Sequence, residues 1–283
     1  MIQRDNTPIY KAYYGTQPIY NIIATEQSGG GGDIDFSAIG YTAEEAEAAN
    51  LRIQQDIEYS TLLYLNWDES NANTYFREDT QLVYCPNVNT SNVTDMEGMF
   101  QGCESLSFIP PLNSSNVTNM NTMFYDCYSL SEIPNLDTSN VTTMQSMFTR
   151  CHKLTTIPPL STSNVTNMAG MFQWCKNLQS LPLLDCGNVI DIGQMFAYAD
   201  MDLLTDLGGF KDLKIDWKDI YGLTNCPSLS YESIMNVLYN LYNFRGNGDE
   251  STTRTLRINS NTYALLSSED IAVATNKGWI ISH

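Results

Sequence analysis

A repeat of 24 residues is the feature that most restricts what this chain can fold into. Met-Phe pairs recur at that interval, and an asparagine-valine pair, a cysteine, a leucine and a proline recur in the same register. A period of this length with fixed apolar slots is typical of leucine-rich repeats, whose units bury their apolar faces against one another. The sequence therefore predicts a leucine-rich-repeat solenoid of the α/β class. The recurring cysteines, called the ladder cysteines, are Cys103, Cys127, Cys151 and Cys175.

The consensus of the unit is S-N-V-T-x-M-x-x-M-F-x-x-C-x-x-L-x-x-I-P-x-L. Its valine, methionines, phenylalanine and cysteine fall at helical spacing, which predicts one short helix in each unit. The L-x-x-I/L that follows is typical of a short strand, and the proline ends it because proline cannot donate a backbone hydrogen bond. We therefore expect units of strand, loop and short helix, whose strands form a parallel sheet.

The repeats divide the chain into five segments. The solenoid is expected over residues 71–226, with an α/β C-terminal cap over 227–283 and a helical N-terminal cap over 35–70, because a solenoid must cover its two ends. Residues 28–34 are a glycine-rich linker. Residues 1–27 are expected to form a small β segment, a hairpin that turns at a glycine and docks the protein onto a partner. The aromatic side chains proposed for this docking are Tyr10, Tyr13, Tyr14 and Tyr20.

Three residue types in the repeats have alternative interpretations. The ladder cysteines are expected to be buried free thiols, since Ala199 takes their slot in the last copy, and a metal site is the alternative. The asparagines of S-N-V-T are expected to hydrogen-bond the turn backbone of the adjacent coil. The alternative is glycosylation, because each opens an N-x-T sequon, but Asn188 keeps the asparagine without the sequon. Neither His152 nor His283 has a catalytic partner at motif spacing, so we predict no enzyme and no cofactor.

Charge excludes two classes of partner. The chain of 283 residues carries 32 acidic against 14 basic residues, a formal net charge of -18. Nucleic acid and anionic lipid both need clustered lysine and arginine, so neither is expected as a partner. The first residues lack the apolar run of a secretory signal, and no stretch is long and apolar enough for a membrane helix. We therefore expect synthesis in a cytoplasm without export by the general route.

The surface positions that vary between repeats are the candidates for ligand binding. One row lies in the predicted strands and a second follows the predicted helices. Their side chains change from unit to unit while the framework slots do not. The alternative is that they are merely solvated, since single exposed aromatic residues are normal on protein surfaces. The residues proposed to contact a ligand are Phe108, Glu132, Thr156 and Ser180 in the strand row and Tyr128 and Trp174 in the second.

The repeat resembles that of the BspA-like leucine-rich-repeat family, and the resemblance covers about Asn71 to Cys226. The ending L-S-S-E-D-I-A-V-A-T-N-K-G-W, from Leu266 to Trp279, is similar to the C-terminal cap of many relatives. The entry D-F-S-A-I-G-Y-T, from Asp35 to Thr42, also looks like family sequence. Proteins of this kind are found in gut Bacteroidetes and in the bacteriophages that infect them.

The resemblance implies a binding protein, in one of two settings. The first hypothesis is a component of a bacteriophage virion, made in the host cytoplasm and displayed on head or tail. Its N-terminal segment would attach to other phage structural proteins, and its solenoid would bind a bacterial surface glycan or protein. The second hypothesis is a bacterial cell-surface adhesin. The ligand and the number of copies in a homo-oligomer are left open by the sequence.

Overall fold

The computed structural model describes residues 13–14, 17–18, 76–83, 85, 88, 90–198, 201–217 and 222–283. The predicted glycine-rich linker and helical N-terminal cap lie outside these residues. Within residues 1–27, strands β1 (Tyr13–Tyr14) and β2 (Gln17–Pro18) are described, and they pair antiparallel. Among the described residues, no helix is long and apolar enough to cross a membrane.

Successive repeats lie on one another in register. The phenylalanine rings of neighbouring repeats stack from Phe76 to Phe196, with centroids 5.4–6.0 Å apart and ring planes within 15° of parallel. Isolated parallel bridges join the same repeats at a second row, from Asp95 through Thr143 to Asp191. Each residue thus has its counterpart in the next repeat directly beside it, and the described repeats form one continuous stack.

The framework side chains form the core of this stack, as the sequence predicts. In the repeat around Phe148, the side chains of Val141, Met144, Met147 and Phe148 are fully buried, and so is the ladder cysteine that follows. The other complete repeats bury the same slots. Each ladder thiol also donates a hydrogen bond to the phenylalanine carbonyl of the preceding repeat, at 3.0–3.2 Å. The cysteine slot therefore holds a small buried side chain, and where it is cysteine the thiol also bonds one repeat to the next.

The predicted asparagine ladder is confirmed. The side-chain amide of Asn140 donates to the backbone carbonyl of Ser115 in the preceding repeat at 2.7 Å. Asn116, Asn164 and Asn188 make the equivalent bond at 2.7–2.9 Å. Because turn carbonyls at a repeat edge have no partner within their own repeat, these bonds satisfy backbone groups that would otherwise depend on water.

The stretch in which a short helix is expected is a series of turns. Among the described residues from 76 to 198, no helix is present. Met99 donates its N–H to the carbonyl of Met96 at 3.2 Å, and Cys103 donates to Phe100 at 3.0 Å, so each bond closes a four-residue turn. The third residues of these turns, Gly98 and Gly102, have φ of 58° and 76°. A left-handed residue interrupts the regular helical backbone, which explains why the helix prediction fails here.

The amide groups of these turns bond to the next repeat instead of to their own. The N–H groups of Gly98, Phe100 and Gly102 donate to carbonyls 23 residues further along the chain, at 2.8–2.9 Å. The later repeats have the same pattern, for example from Phe124 to Met147 at 2.9 Å. A helix would use these groups within one repeat. In these turns, every second backbone N–H group instead donates to a carbonyl of the next repeat and so joins the two repeats.

Among the residues that the structure describes, the sheet expected from L-x-x-I/L is present only toward the C-terminal end of the stack. Strand β3 (Ser180–Leu181) pairs in parallel with β5 (Asp206–Leu207), and β4 (Leu184–Asp185) pairs with β6 (Phe210–Lys211). A single bridge extends the first pair back to Thr156. In the earlier described repeats this row has scattered hydrogen bonds between repeats and no assigned strand.

The C-terminal residues close the stack. Helix α1 (Tyr231–Asn240) begins at Ser230, whose hydroxyl accepts from the amide of Ser233. Strand β7 (Arg254–Arg257), helices α2 (Ser260–Tyr263) and α3 (Ser268–Thr275), and strand β8 (Trp279–Ser282) follow, and β7 pairs with β8 in parallel. Residues 227–283 thus contain both helices and strands, as expected for an α/β cap. Trp217 packs its ring 6.2 Å from that of Phe196 and is buried, so it covers the end of the phenylalanine ladder.

Candidate ligand-binding surface

Each ladder cysteine is buried, while the residues before and after it are more accessible to solvent. We call these flanking residues, together with Tyr198, the outer turn surface. The residues before the cysteines form one column along the stack and the residues after them form a second. The first column contains Gly102, Asp126, Arg150, Trp174 and Tyr198, and the second contains Glu104, Tyr128, His152 and Lys176.

The first column has a left-handed backbone, as does a second turn position of the repeats, occupied by Gly98, Thr122, Ser146, Gly170 and Gln194. Arg150, Trp174 and Tyr198 have φ of 63°, 60° and 59°, in the left-handed region that glycine adopts without strain. Gly102 is the glycine of the same column, with φ of 76°. For bulky residues a positive φ is a true outlier, with a cost of about 1–2 kcal/mol each. The backbone therefore does not favour large side chains at these three positions, although large side chains are present.

The aromatic residues of the surface stack across repeats. The Tyr128 and His152 rings lie 5.0 Å apart and within 9° of parallel. The Trp174 and Tyr198 rings lie 5.8 Å apart and within 17° of parallel. Trp174 is 40% exposed and Tyr198 is 51% exposed, and exposed, flat ring pairs of this kind can support a flat ligand group.

Positive charge is concentrated on the same part of the stack. Arg150, Lys153 and Lys176 are the only lysines and arginines between residues 78 and 210. One guanidinium nitrogen of Arg150 donates to Asp126 at 3.2 Å. Burial lowers the pKa of His152, and the nearby Lys176 and Arg150 lower it further. His152 is therefore neutral at pH 7, so it contributes an aromatic ring to the stacked pair and no positive charge to the surface.

The arginine is also held against an aromatic ring. Its guanidinium carbon lies 5.9 Å from the centroid of the Tyr125 ring, within the range of a cation–π contact. Together with the Asp126 bond this orients the side chain, which remains 39% exposed. Burial raises the pKa of the neighbouring Tyr128, and the Asp126 carboxylate raises it further, so the phenol stays protonated at pH 7.

The residues predicted to contact a ligand lie in two separate rows. Tyr128 and Trp174 belong to the outer turn surface, one in each column. Phe108, Glu132, Thr156 and Ser180 lie beyond the buried leucines, in the row that continues into β3; Glu132 and Thr156 are exposed, and Phe108 and Ser180 are half-buried.

Some site residues were missed and others cannot be placed. Arg150 and Tyr198 were not predicted as ligand-binding residues. They lie 24 residues before and after Trp174, so the repeat period places them in the same column as Trp174. Of the proposed docking residues, Tyr13 and Tyr14 form β1. Their side chains, and Tyr10 and Tyr20 entirely, lie outside the described residues.

The cysteines are a poor basis for a chemical site. All seven are buried thiols outside any disulfide bond. Burial raises the pKa of each ladder thiol for which a shift is resolved, to about 12 for Cys175, so these thiols are not nucleophiles near neutral pH. Among the residues that the structure describes, no group of three or more His, Cys, Asp or Glu side chains could hold a metal ion.

Comparison with known proteins assigns the repeats to a family. No curated protein and no solved structure matches the chain. The family described as "Mycoplasma protein of unknown function, DUF285" matches residues 69–157 and 109–210. Together the two matches span 142 of the 283 residues, half of the chain, and they include the four ladder cysteines and the whole outer turn surface. The chain therefore belongs to the DUF285 family.

Proposed function

We propose that this chain is a non-enzymatic binding protein, a leucine-rich-repeat solenoid that presents its outer turn surface to a partner. One observation carries the proposal. Arg150, Trp174 and Tyr198 occupy left-handed positions where glycine would be less strained, and their side chains are half-buried or exposed. Residues that cost stability and contribute little to the core are typical of functional sites.

The arrangement of the repeats supports the same function. Core side chains and hydrogen bonds between repeats are nearly identical from coil to coil, whereas the outer turn residues differ in charge, size and aromaticity. In solenoids the framework fixes the spacing of such surface residues, so their chemistry can change without loss of the fold. An extended partner that runs along the stack can contact one pair of residues in each repeat.

We propose a bacteriophage virion as the setting, with residues 1–27 attached to other phage structural proteins and the stack directed at the host surface. The resemblance to BspA-like proteins of phages supports this, and so does the run Gly29 to Gly32, which separates the N-terminal segment from the rest of the chain. The second candidate is a bacterial cell-surface adhesin. The family description favours it, because that description refers to a Mycoplasma protein.

Adsorption to bacterial cells tests the binding function. Fluorescently labelled full-length chain is expected to adsorb to cells of the host. The double variant Trp174→Gly/Tyr198→Gly removes both exposed rings and relieves two strained positions, so it should fold but lose adsorption. Ser163→Ala, at an exposed position outside both candidate rows, is the matched control and should adsorb normally. Adsorption of the double variant at the level of the control would show that the outer turn surface is not the binding surface.

Immunogold labelling tests the setting. Antibody against the chain is expected to label purified virions on head or tail. Deletion of residues 1–27 should abolish incorporation into particles while the melting temperature of the purified protein stays unchanged. Label on bacterial envelopes and none on particles would establish the second candidate.

A further inference from the structure

Exposed aromatic pairs and positive charge occur together on the outer turn surface. The Tyr128–His152 pair lies in the second column, and the Trp174–Tyr198 pair lies in the first column, two repeats further along. Arg150 and Lys176, two of the three basic residues between residues 78 and 210, lie next to these pairs: Arg150 is one repeat from Trp174 in its column, and Lys176 is one repeat from His152 in the other. Lys153 is beside His152 in sequence and is exposed.

We propose that this surface binds an anionic polysaccharide, one whose sugars carry carboxylates. The inference rests on the proposed binding function and names its ligand. Sugar rings have flat faces of C–H groups that can lie on aromatic rings, and their hydroxyl edges remain in water. A polymer laid along the stack would meet one ring pair, then the basic residues, then the other ring pair. No deep pocket is needed for such a ligand.

The charge of the ligand follows from the basic residues. A chain with a formal net charge of -18 has a concentration of three basic residues at one place on its repeats. Arg150 already donates to Asp126 through one nitrogen, and this bond fixes its direction and leaves 39% of the side chain exposed. Carboxylates match the donor geometry of a guanidinium and bind as charge-assisted partners. A neutral glycan would make no use of this concentration of charge.

The overall charge also separates this ligand from nucleic acid. Single-stranded nucleic acid also binds to aromatic and basic surfaces, but it carries one phosphate for every base, and its binding depends on many cations. Here Glu104 and Asp126 share the outer turn surface with two cations, Arg150 and Lys176. Lys153 is the one further cation beside them in sequence, and the rest of the chain is strongly acidic. A polysaccharide with sparser carboxylates is repelled less by such a protein. The observations therefore favour the sugar polymer.

Polygalacturonate in which part of the carboxylates are methyl esters, so that the remaining charges are sparse, and its full methyl ester provide a matched pair of probes, because complete esterification removes the charge and keeps the sugars. In a calorimetric titration of the full chain, polygalacturonate is expected to bind at least tenfold more tightly than the ester. The preference should fall as salt rises from low to physiological concentration, since exposed charges are screened. Lys176→Gln should weaken binding of polygalacturonate roughly tenfold, as expected for loss of a charge-assisted hydrogen bond. It should leave the weaker binding of the ester unchanged, and Ser163→Ala, at an exposed position outside both candidate rows, should change neither.

Several results would overturn the inference. Equal binding of the acid and the ester would show that charge is not recognised. Tighter binding of single-stranded DNA or of a poly-glutamate peptide would assign the surface to a different macromolecule. Binding of neither probe, together with cell adsorption that still requires Trp174 and Tyr198, would reject the polysaccharide and retain the binding function. If neither probe binds and cell adsorption does not require Trp174 and Tyr198, both the polysaccharide ligand and the proposed binding function of this surface are rejected.

Discussion

Substitution of Trp174 by alanine and by glycine separates backbone strain from side-chain contacts. Both variants lose the stacking of the indole on Tyr198, about 0.5–1.5 kcal/mol, so this loss cancels when the two are compared. Alanine retains a Cβ atom at φ of 60°, which costs about 1–2 kcal/mol, and glycine avoids that cost. Glycine loses more conformational entropy on folding, about 0.5–1 kcal/mol. The glycine variant should therefore be the more stable by about 0.5–1 kcal/mol.

The control is Lys176, two residues further on, whose φ is not positive. There the usual order should hold, with Lys176→Ala more stable than Lys176→Gly by about 0.5–1 kcal/mol. Urea unfolding followed by circular dichroism gives all four free energies of unfolding. An alanine variant at position 174 that equals or exceeds the glycine variant in stability would refute the argument from strain, and with it the main support for the proposed function.

The other predictions concern the core, the thiols and the C-terminal cap. Phe148→Ala should destabilise the protein by about 3–5 kcal/mol, because the ring is fully buried and stacks on both neighbours, whereas the exposed Thr156→Ala should stay within about 0.5 kcal/mol in the same urea titration. The ladder cysteines should not react with a bulky thiol reagent until the protein unfolds, and rapid labelling of native protein would contradict their burial. Ser267→Ala should cost about 1 kcal/mol by thermal unfolding, because it removes the capping box at α3; an unchanged melting temperature would contradict this.

The repeat made the core predictable. A slot that holds the same apolar side chain at every period must have the same environment in every coil, so the burial of Met144 or Phe148 follows from the alignment alone. The asparagine ladder was predictable for a similar reason, since Asn188 keeps the asparagine where the sequon is lost. The helix starts at Ser230 and Ser267 follow from local capping chemistry, which needs no knowledge of distant residues.

The turns were not predictable from apolar spacing. Valine, methionine and cysteine at intervals of about three residues fit one face of a helix, and they fit equally well a succession of turns closed by i to i+3 hydrogen bonds. What decides between them is the bonding between repeats, such as Phe100 to Met123, which no local pattern records. One signal was present: Gly98 and Gly170 occupy the same slot, and both are left-handed.

The same hydrogen bonds that replace the helix also determine how the outer turn surface can bind. The backbone N–H of Trp174 donates to the carbonyl of Ala197 at 3.1 Å, and the backbone N–H of Arg150 donates to the carbonyl of Gln173 at 2.7 Å. These bonds hold the strained residues in place from one repeat to the next, so their side chains keep a fixed spacing before any ligand arrives. Binding to a surface that is already ordered avoids the loss of loop entropy. The fully buried framework offsets the strain at each repeat, which allows a costly backbone to persist where we propose that its side chains contact a partner.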